Sequence, residues 1–249
     1  MARILLLGGT LEARRLADAL VGQDDGHAVM TSLAGRTSDA RLPAGEIRTG
    51  GFGGVDGLVD YIRDNAIDIL IDATHPFAAE ITAHAVEAAH ATGVAHLVLS
   101  RPTWKLPDDL IVHRVTDLAA AAFALTALEA TRVLVTVGHR GLEALSRFDG
   151  HLVVRQIDAH EAPLPLDDAI RIVDRPPYTL EGERALMAEH RIDALLTKES
   201  GGTSTEAKLD AARERAIPVV MIERPAVPAA PSVGSVEDAL AWITEKTGR

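Results

Sequence analysis

The sequence predicts an α/β fold made of two parallel-sheet halves with an inter-domain cleft between them. Short uninterrupted runs of branched aliphatic residues recur along the chain, and amphipathic helical patterns separate them. A strand buried on both faces reads as a continuous apolar run, and crossover helices are what cover both faces, so the alternation specifies parallel sheets. At roughly 100–200 residues per domain, 249 residues accommodate two such halves.

The first strand is Arg3-Ile-Leu-Leu-Leu7, followed by paired glycines and a helix opening at Leu11-Glu12-Ala13. Residues 27–33, 68–72 and 96–100 supply further strands, and a shorter candidate precedes Arg48. The clearest helix is expected to begin at Pro76, a favoured first helical residue. It places Phe77, Ile81, Ala85 and Ala88 on one stripe, sets Glu80, His84 and Glu87 opposite, and stops at Gly93. Arg101-Pro-Thr-Trp-Lys-Leu-Pro107, with two prolines, reads as a hinge, so the expected domains are 1–104 and 105–249. The second half repeats the scheme with strands at 132–137, 151–155, 192–197 and 218–222 and helices at 180–191, 205–216 and 236–246. Pro225 to Pro231 is a connector to the terminal helix. Residues Ile4–Ala13 and Val135–Ala144 echo each other, each running from strand to glycine to Leu-Glu-Ala.

Composition excludes several functions. Lys+Arg 25 against Asp+Glu 36 leaves a net charge of −11, the wrong sign for nucleic-acid or anionic-membrane binding. Eight aromatic residues are too few for base-stacking platforms. No cysteine occurs, which removes disulfides, thiolate metal sites and cysteine nucleophiles and fits a reducing compartment. The longest apolar run, Leu118–Leu125, has eight residues, against about 20 for a membrane span. The expected location is cytoplasmic, with no membrane partner. The histidines lack metal-ligand spacing, and no phosphate-binding G-x-x-x-x-G-K-[ST] or G-x-S-x-G elbow is present.

Five segments carry candidate chemistry. Leu7-Gly-Gly-Thr-Leu-Glu-Ala-Arg-Arg15 leaves a strand and opens a helix, where glycines admit a phosphate to free N–H groups. Its fingerprint positions are Gly8, Thr10 and Ala13, with Gly9 between the first two; Thr10 stands where the dinucleotide pattern has its second glycine. A NAD site places an acid about 20 positions further on, but Ser32-Leu-Ala-Gly-Arg-Thr37 offers hydroxyls and Arg36 instead. That substitution points to a 2′-phosphate and hence to NADPH. The cluster Arg48-Thr-Gly-Gly-Phe-Gly-Gly54 offers Gly51, Phe52 and Gly53 to the cofactor, or else forms a flexible turn. Asp72-Ala-Thr-His-Pro-Phe-Ala78 ends a buried strand, and ligands of open α/β sheets sit outside such ends, so Thr74 and His75 should line the cofactor cleft. Leu196-Thr-Lys-Glu-Ser-Gly-Gly-Thr203 places Lys198, Ser200 and Gly201 at a second-half strand end, suited to carboxylates or phosphate. Further cations near strand ends or in the hinge are Arg101, Lys105, His139, Arg140 and Arg224.

Gly8-Gly-Thr-Leu-Glu-Ala-Arg14, Ala73-Thr-His-Pro-Phe-Ala78, Arg101-Pro-Thr-Trp104, Thr197-Lys-Glu-Ser-Gly-Gly202 and Glu223-Arg-Pro225, in this order and spacing, resemble the precorrin-6A reductase family of cobalamin biosynthesis. The resemblance runs over almost the whole chain. It implies two Rossmann-like halves and NADPH-dependent reduction of one ring double bond of precorrin-6A to precorrin-6B. It also implies an anionic tetrapyrrole fringed by carboxylates as substrate, for which Arg101, Lys198, Lys208 and Arg140 or Arg224 are the expected cations. The first half then holds the cofactor and the second the substrate. His75, Lys198 or solvent supplies the proton that accompanies hydride transfer. Two alternatives stand beside this reading: another NADPH-dependent reductase of a small carbonyl or imine, and a non-catalytic dinucleotide sensor. The absence of a Tyr-x-x-x-Lys pair counts against the short-chain version of the first.

Overall fold

Ile4, Leu5, Leu6 and Leu7 are each at most 2 % exposed, as a strand covered on both faces requires. The structure is a computed structural model that describes every residue except 23–25, 35–41, 159–161 and 249. Two units make up the chain, Met1–Pro102 with Pro225–Arg249, and Thr103–Arg224.

The first unit runs β1 (Arg3–Leu7), α1 (Leu11–Gly22), β2 (Ala28–Leu33), β3 (Glu46–Thr49), α2 (Val55–Asp64), β4 (Ile69–Asp72), α3 (Ala79–Thr92) and β5 (Ala95–Leu99). The second runs β6 (Val112–Val115), α4 (Leu118–Ala127), β7 (Arg132–Thr136), β8 (His151–Gln156), β9 (Ile170–Val173), α5 (Leu180–Glu189), β10 (Ala194–Lys198), α6 (Ala207–Glu214) and β11 (Val219–Ile222), with a 3-10 turn at Leu142–Arg147 after β7. The chain then returns to the first unit as β12 (Ser232–Val233) and α7 (Val236–Lys246).

Both sheets are parallel, ordered β12-β5-β4-β1-β2-β3 and β6-β11-β10-β7-β8-β9. The first is the 3-2-1-4-5-6 order of dinucleotide-binding sheets, with its sixth place taken by β12. The second has the same order if β7 is read as its first strand, and β6 takes the sixth place. β12 reaches the first sheet only after the chain has passed through the second unit, β6 precedes the other strands of the second unit, and a helix follows each, α7 in one case and α4 in the other. On one face of the first sheet Leu16 and Leu20 of α1 pack with Ala239 and Ile243 of α7; on the other, Leu58 and Ile62 of α2 pack with Ala85 and Ala88 of α3. Each such fully buried leucine contributes roughly 1.5–3 kcal/mol. In the second unit Met187, Leu209 and Ala212 close one face over Leu134 and Val153.

The duplication reaches individual atoms. Asp68 accepts the N–H of Arg3 at 2.8 Å and donates its own N–H to the Arg3 carbonyl at 2.9 Å. Asp193 does the same with Arg132, at 2.9 Å in both directions. Both aspartates follow an isoleucine, preceded in turn by a residue of positive φ, Ala66 (47°) or Arg191 (51°).

Two expectations need correction. The second domain does not extend over 105–249, because β12 pairs with β5 and α7 covers α1, returning residues 225–249 to the first unit. Trp104 is a core residue of the second unit, 7 % exposed with Nε1 donating to the Gly202 carbonyl at 2.8 Å. The helix expected from Pro76 starts at Ala79. His75 captures the turn before it, accepting the Ala78 N–H on its carbonyl at 2.7 Å and the Phe77 N–H on Nδ1 at 3.2 Å.

Candidate functional site

In the first unit the strand order reverses between β1 and β4, the place where open α/β sheets take their ligands. Gly8 brings the turn against β2, since a Cβ there would lie 2.8 Å from Thr31 Cγ2, and its N–H donates to the Ser32 carbonyl at 2.9 Å. Gly9 has φ 109°, a conformation that favours glycine. Thr10 Oγ1 accepts the N–H of Ala13 at 3.1 Å, capping α1, and donates to the Ala73 carbonyl at 2.7 Å. One hydroxyl thus ties the β1 turn to the β4 turn, which a glycine at this fingerprint position could not do.

Thr10, Glu12, Thr74, Pro76, Leu99 and Arg101 line the resulting crevice. Arg101 pairs with Glu12 at 3.1 Å, so an acidic residue in the first turn of α1 carries its own counter-charge. Asp72, 1 % exposed, accepts both the N–H (3.0 Å) and the hydroxyl (2.7 Å) of Thr74 on Oδ1. Thr74 therefore presents oxygen lone pairs to a ligand. The Phe77 N–H on Nδ1 places the proton of neutral His75 on Nε2. Beneath them burial lowers the pKa of His96, with Asp72 pulling the other way.

A second cluster sits at the ends of β2 and β3. Arg48, paired in register with Ser32, donates to Ser32 Oγ at 2.7 Å, to the Gly50 carbonyl at 3.1 Å and to the Gly51 carbonyl at 3.0 Å. Its guanidinium lies 3.9 Å from the Phe52 ring centre and 5.1 Å from that of Tyr61. The glycine cluster is therefore a braced loop.

In the second unit Lys198 ends β10, and its pKa is lowered by burial and then by Arg140. Beside it Glu199, buried, pairs with Arg114 at 2.9 Å. Arg224 donates to the carbonyls of Glu199 at 2.9 Å and Ser200 at 3.2 Å. Gly201 and Gly202 turn the chain at φ 69° and 80°.

The expected cofactor residues Gly8, Gly9, Thr10, Thr74 and His75 thus lie at the β1 and β4 ends, and Ser32, Gly51, Phe52 and Gly53 at the β2 and β3 ends. Arg36 lies outside the described residues. Arg101, expected among the substrate cations, lies in the first unit's crevice. Lys198, Ser200 and Gly201 gather at the β10 end as expected. Lys208 differs from the expectation: it is 3 % exposed, donates to the Thr205 carbonyl at 2.8 Å and lies 4.8 Å from the Trp104 ring, so it braces the loop from within. Sequence reasoning missed Glu12, Arg48, Asp72 and Glu199 as site residues, although all four stand inside the segments it singled out. Among the described residues no helix is long and apolar enough to cross a membrane.

Residues 3–244 match the family described as precorrin-6x reductase CbiJ/CobK. The chain is 47 % identical over 251 residues to a precorrin-6A reductase of Rhodococcus erythropolis, covering all of both chains. It is 32 % identical over 235 residues to a cobalt-precorrin-6A reductase of Methanothermobacter thermautotrophicus, covering 90 % of this chain and 77 % of that one. The solved structure of CobK precorrin-6A reductase superposes with a TM-score of 0.92 at 41 % identity, covering 99 % and 97 % of the two chains. The chain belongs to the precorrin-6x reductase family.

Proposed function

We propose that this chain reduces one ring double bond of precorrin-6A to give precorrin-6B, with NADPH as the hydride source. The observation that carries the reading is the family match over residues 3–244, joined to a dinucleotide-type strand order with its glycine turn at the reversal point. The first unit fits a nicotinamide nucleotide: Gly8 leaves room beside β2, and the first-turn N–H groups of α1 face the strand ends where a pyrophosphate is held. NADPH bound there supplies the hydride, and the protein supplies orientation and electrostatics. Thr74, fixed as an acceptor by Asp72, and the Nε2–H of His75 would orient the nicotinamide end. Lys198 would meet a ring carboxylate or deliver the proton; its lowered pKa makes proton release easier than from an ordinary lysine. The greater identity to the relative named for precorrin-6A than to the one named for the cobalt form favours a metal-free ring.

The test mixes the protein with NADPH and precorrin-6A and follows nicotinamide oxidation together with the product mass. Oxidation that depends on the tetrapyrrole, with a product heavier by two hydrogens, supports the reading. Cofactor binding without turnover on any tetrapyrrole overturns it in favour of a sensor.

A further inference from the structure

We propose that Arg48 recognises the 2′-phosphate on the adenosine ribose of the cofactor and so sets the preference between NADPH and NADH. This rests on the first unit being the nicotinamide-nucleotide unit. Arg48 is placed by β3, paired with Ser32 near the end of β2, the strand whose end meets the ribose in sheets of this order. Its three hydrogen bonds go to neutral oxygens, those of Ser32, Gly50 and Gly51. Arg101, Arg114, Arg155 and Arg184 each meet a carboxylate; Arg48 meets none among the described residues. In a chain of net charge −11 this half-buried guanidinium is held by its own loop, with no counter-charge among the described residues. A guanidinium has five N–H donors, so part of the fork is left for a ligand. Stacking on Phe52 and the two loop carbonyls fix its plane in advance, which lowers the ordering cost of binding. A phosphate monoester matches such a fork with parallel charge-assisted bonds, whereas a ribose hydroxyl cannot neutralise it.

The experiment is calorimetric titration of the full chain and its Arg48→Gln and Arg48→Lys variants with NADP+, NAD+ and 2′,5′-ADP. The parent should bind NADP+ more tightly than NAD+. Arg48→Gln should weaken NADP+ and 2′,5′-ADP by about 10- to 100-fold while NAD+ changes by less than about threefold. Arg48→Lys should fall between, because the charge stays and the fork is lost; being milder, it keeps the test open if Arg48→Gln unfolds. Equal losses for NADP+ and NAD+ would reduce Arg48 to a loop brace and overturn the proposal, and so would NADP+ affinity unchanged in both variants. A parent that binds NAD+ as tightly as NADP+ would instead overturn the cofactor reading itself.

Discussion

Gly57→Ala should destabilise this protein, although the same change elsewhere in a helix would stabilise it. Gly57 stands in the first turn of α2, and a Cβ there would lie 1.8 Å from the Phe52 carbonyl oxygen and 2.9 Å from its carbon. Tolerable contacts begin near 3.0 Å, so the carbonyl would have to retreat by more than an ångström. That loop cannot move alone. The Gly50 N–H donates to the Leu33 carbonyl at 2.9 Å, and the Gly50 and Gly51 carbonyls hold Arg48. Helix propensity favours alanine by about 1 kcal/mol. Overpacking costs about 1–3 kcal/mol, and a pinned backbone atom puts this site at the upper end, for a net loss of about 2 kcal/mol. Because displacing the Phe52 carbonyl strains the loop whose Gly50 and Gly51 carbonyls orient Arg48, NADP+ affinity should fall by about tenfold, the loss of roughly one net hydrogen bond. Urea unfolding and a calorimetric NADP+ titration measure both effects. A variant about 1 kcal/mol more stable than its parent, with unchanged NADP+ affinity, would refute the reasoning.

Other expectations come from buried polar groups. Glu183→Gln leaves the Arg155 guanidinium, whose side chain is 4 % exposed, without the carboxylate at 2.8 Å. It should cost about 3–5 kcal/mol in urea unfolding; the Tyr178 ring, its centre 3.8 Å from that guanidinium, is present in parent and variant alike and does not offset the loss. Thr10→Val removes both the cap of α1 and the bond to Ala73, a loss of about 1–2 kcal/mol by the same assay. Burial lowers the His96 pKa, so the unfolded chain takes up a proton first as pH falls below 6.5, and stability is lost there; stability measured against pH should flatten in His96→Leu. Lys198, also lowered, penalises the folded state while it is charged. Lys198→Met should therefore gain stability at neutral pH, an advantage that shrinks as pH rises through the window between the lowered pKa and 10.5. Its KM for the tetrapyrrole should rise while NADPH affinity holds, which steady-state kinetics and titration would separate.

The central strands were legible because both faces are buried: β1, β4, β10 and β11 are continuous aliphatic runs in sequence and buried throughout or nearly so in the structure. Edge strands were not. Val112–Val115 and Ile170–Val173 interleave apolar and charged residues over only four positions, and β12 has two residues, all too short for a period to register. Helix α4 hid for the opposite reason, since Leu118–Leu125 is apolar all round and has no stripe; only Asp117, whose side chain accepts the Ala120 N–H at 2.8 Å, signals its start. The return of 225–249 was illegible because nothing in a local pattern says which sheet β12 will join. At the site, the motifs located the strand ends. They could not say that Lys208 points into the second unit's core or that Arg48 has no acidic neighbour among the described residues, because both depend on contacts far apart in sequence.

The duplicated frame bears on the proposal that the two units take different ligands. Aligning Arg3 with Arg132 through their matching bonds to Asp68 and Asp193, the sheet registers carry Ser32 onto Arg155 and Arg48 onto Ile172. In the first unit that corner holds a hydroxyl and an arginine without a carboxylate partner among the described residues. In the second the arginine has moved one strand inward, is buried, and is neutralised by Glu183 beneath the Tyr178 ring. The arginine at that position in the second unit is thus already neutralised, and Arg175, two residues beyond β9, is paired with Asp158. At the end of β10 in the second unit, Arg140 lies near enough to Lys198 to disfavour the charge of the lysine. Under the proposed function, a tetrapyrrole carboxylate would favour the charged form of Lys198 at that end, and the ribose phosphate would go to the first unit's corner. Replacing Ile172 with arginine should not create nucleotide binding in the second unit, because Arg155 and Glu183 already fill the space beneath it. A measurable affinity of Ile172→Arg for 2′,5′-ADP beyond that of the parent would show that the division of labour rests on something other than this corner.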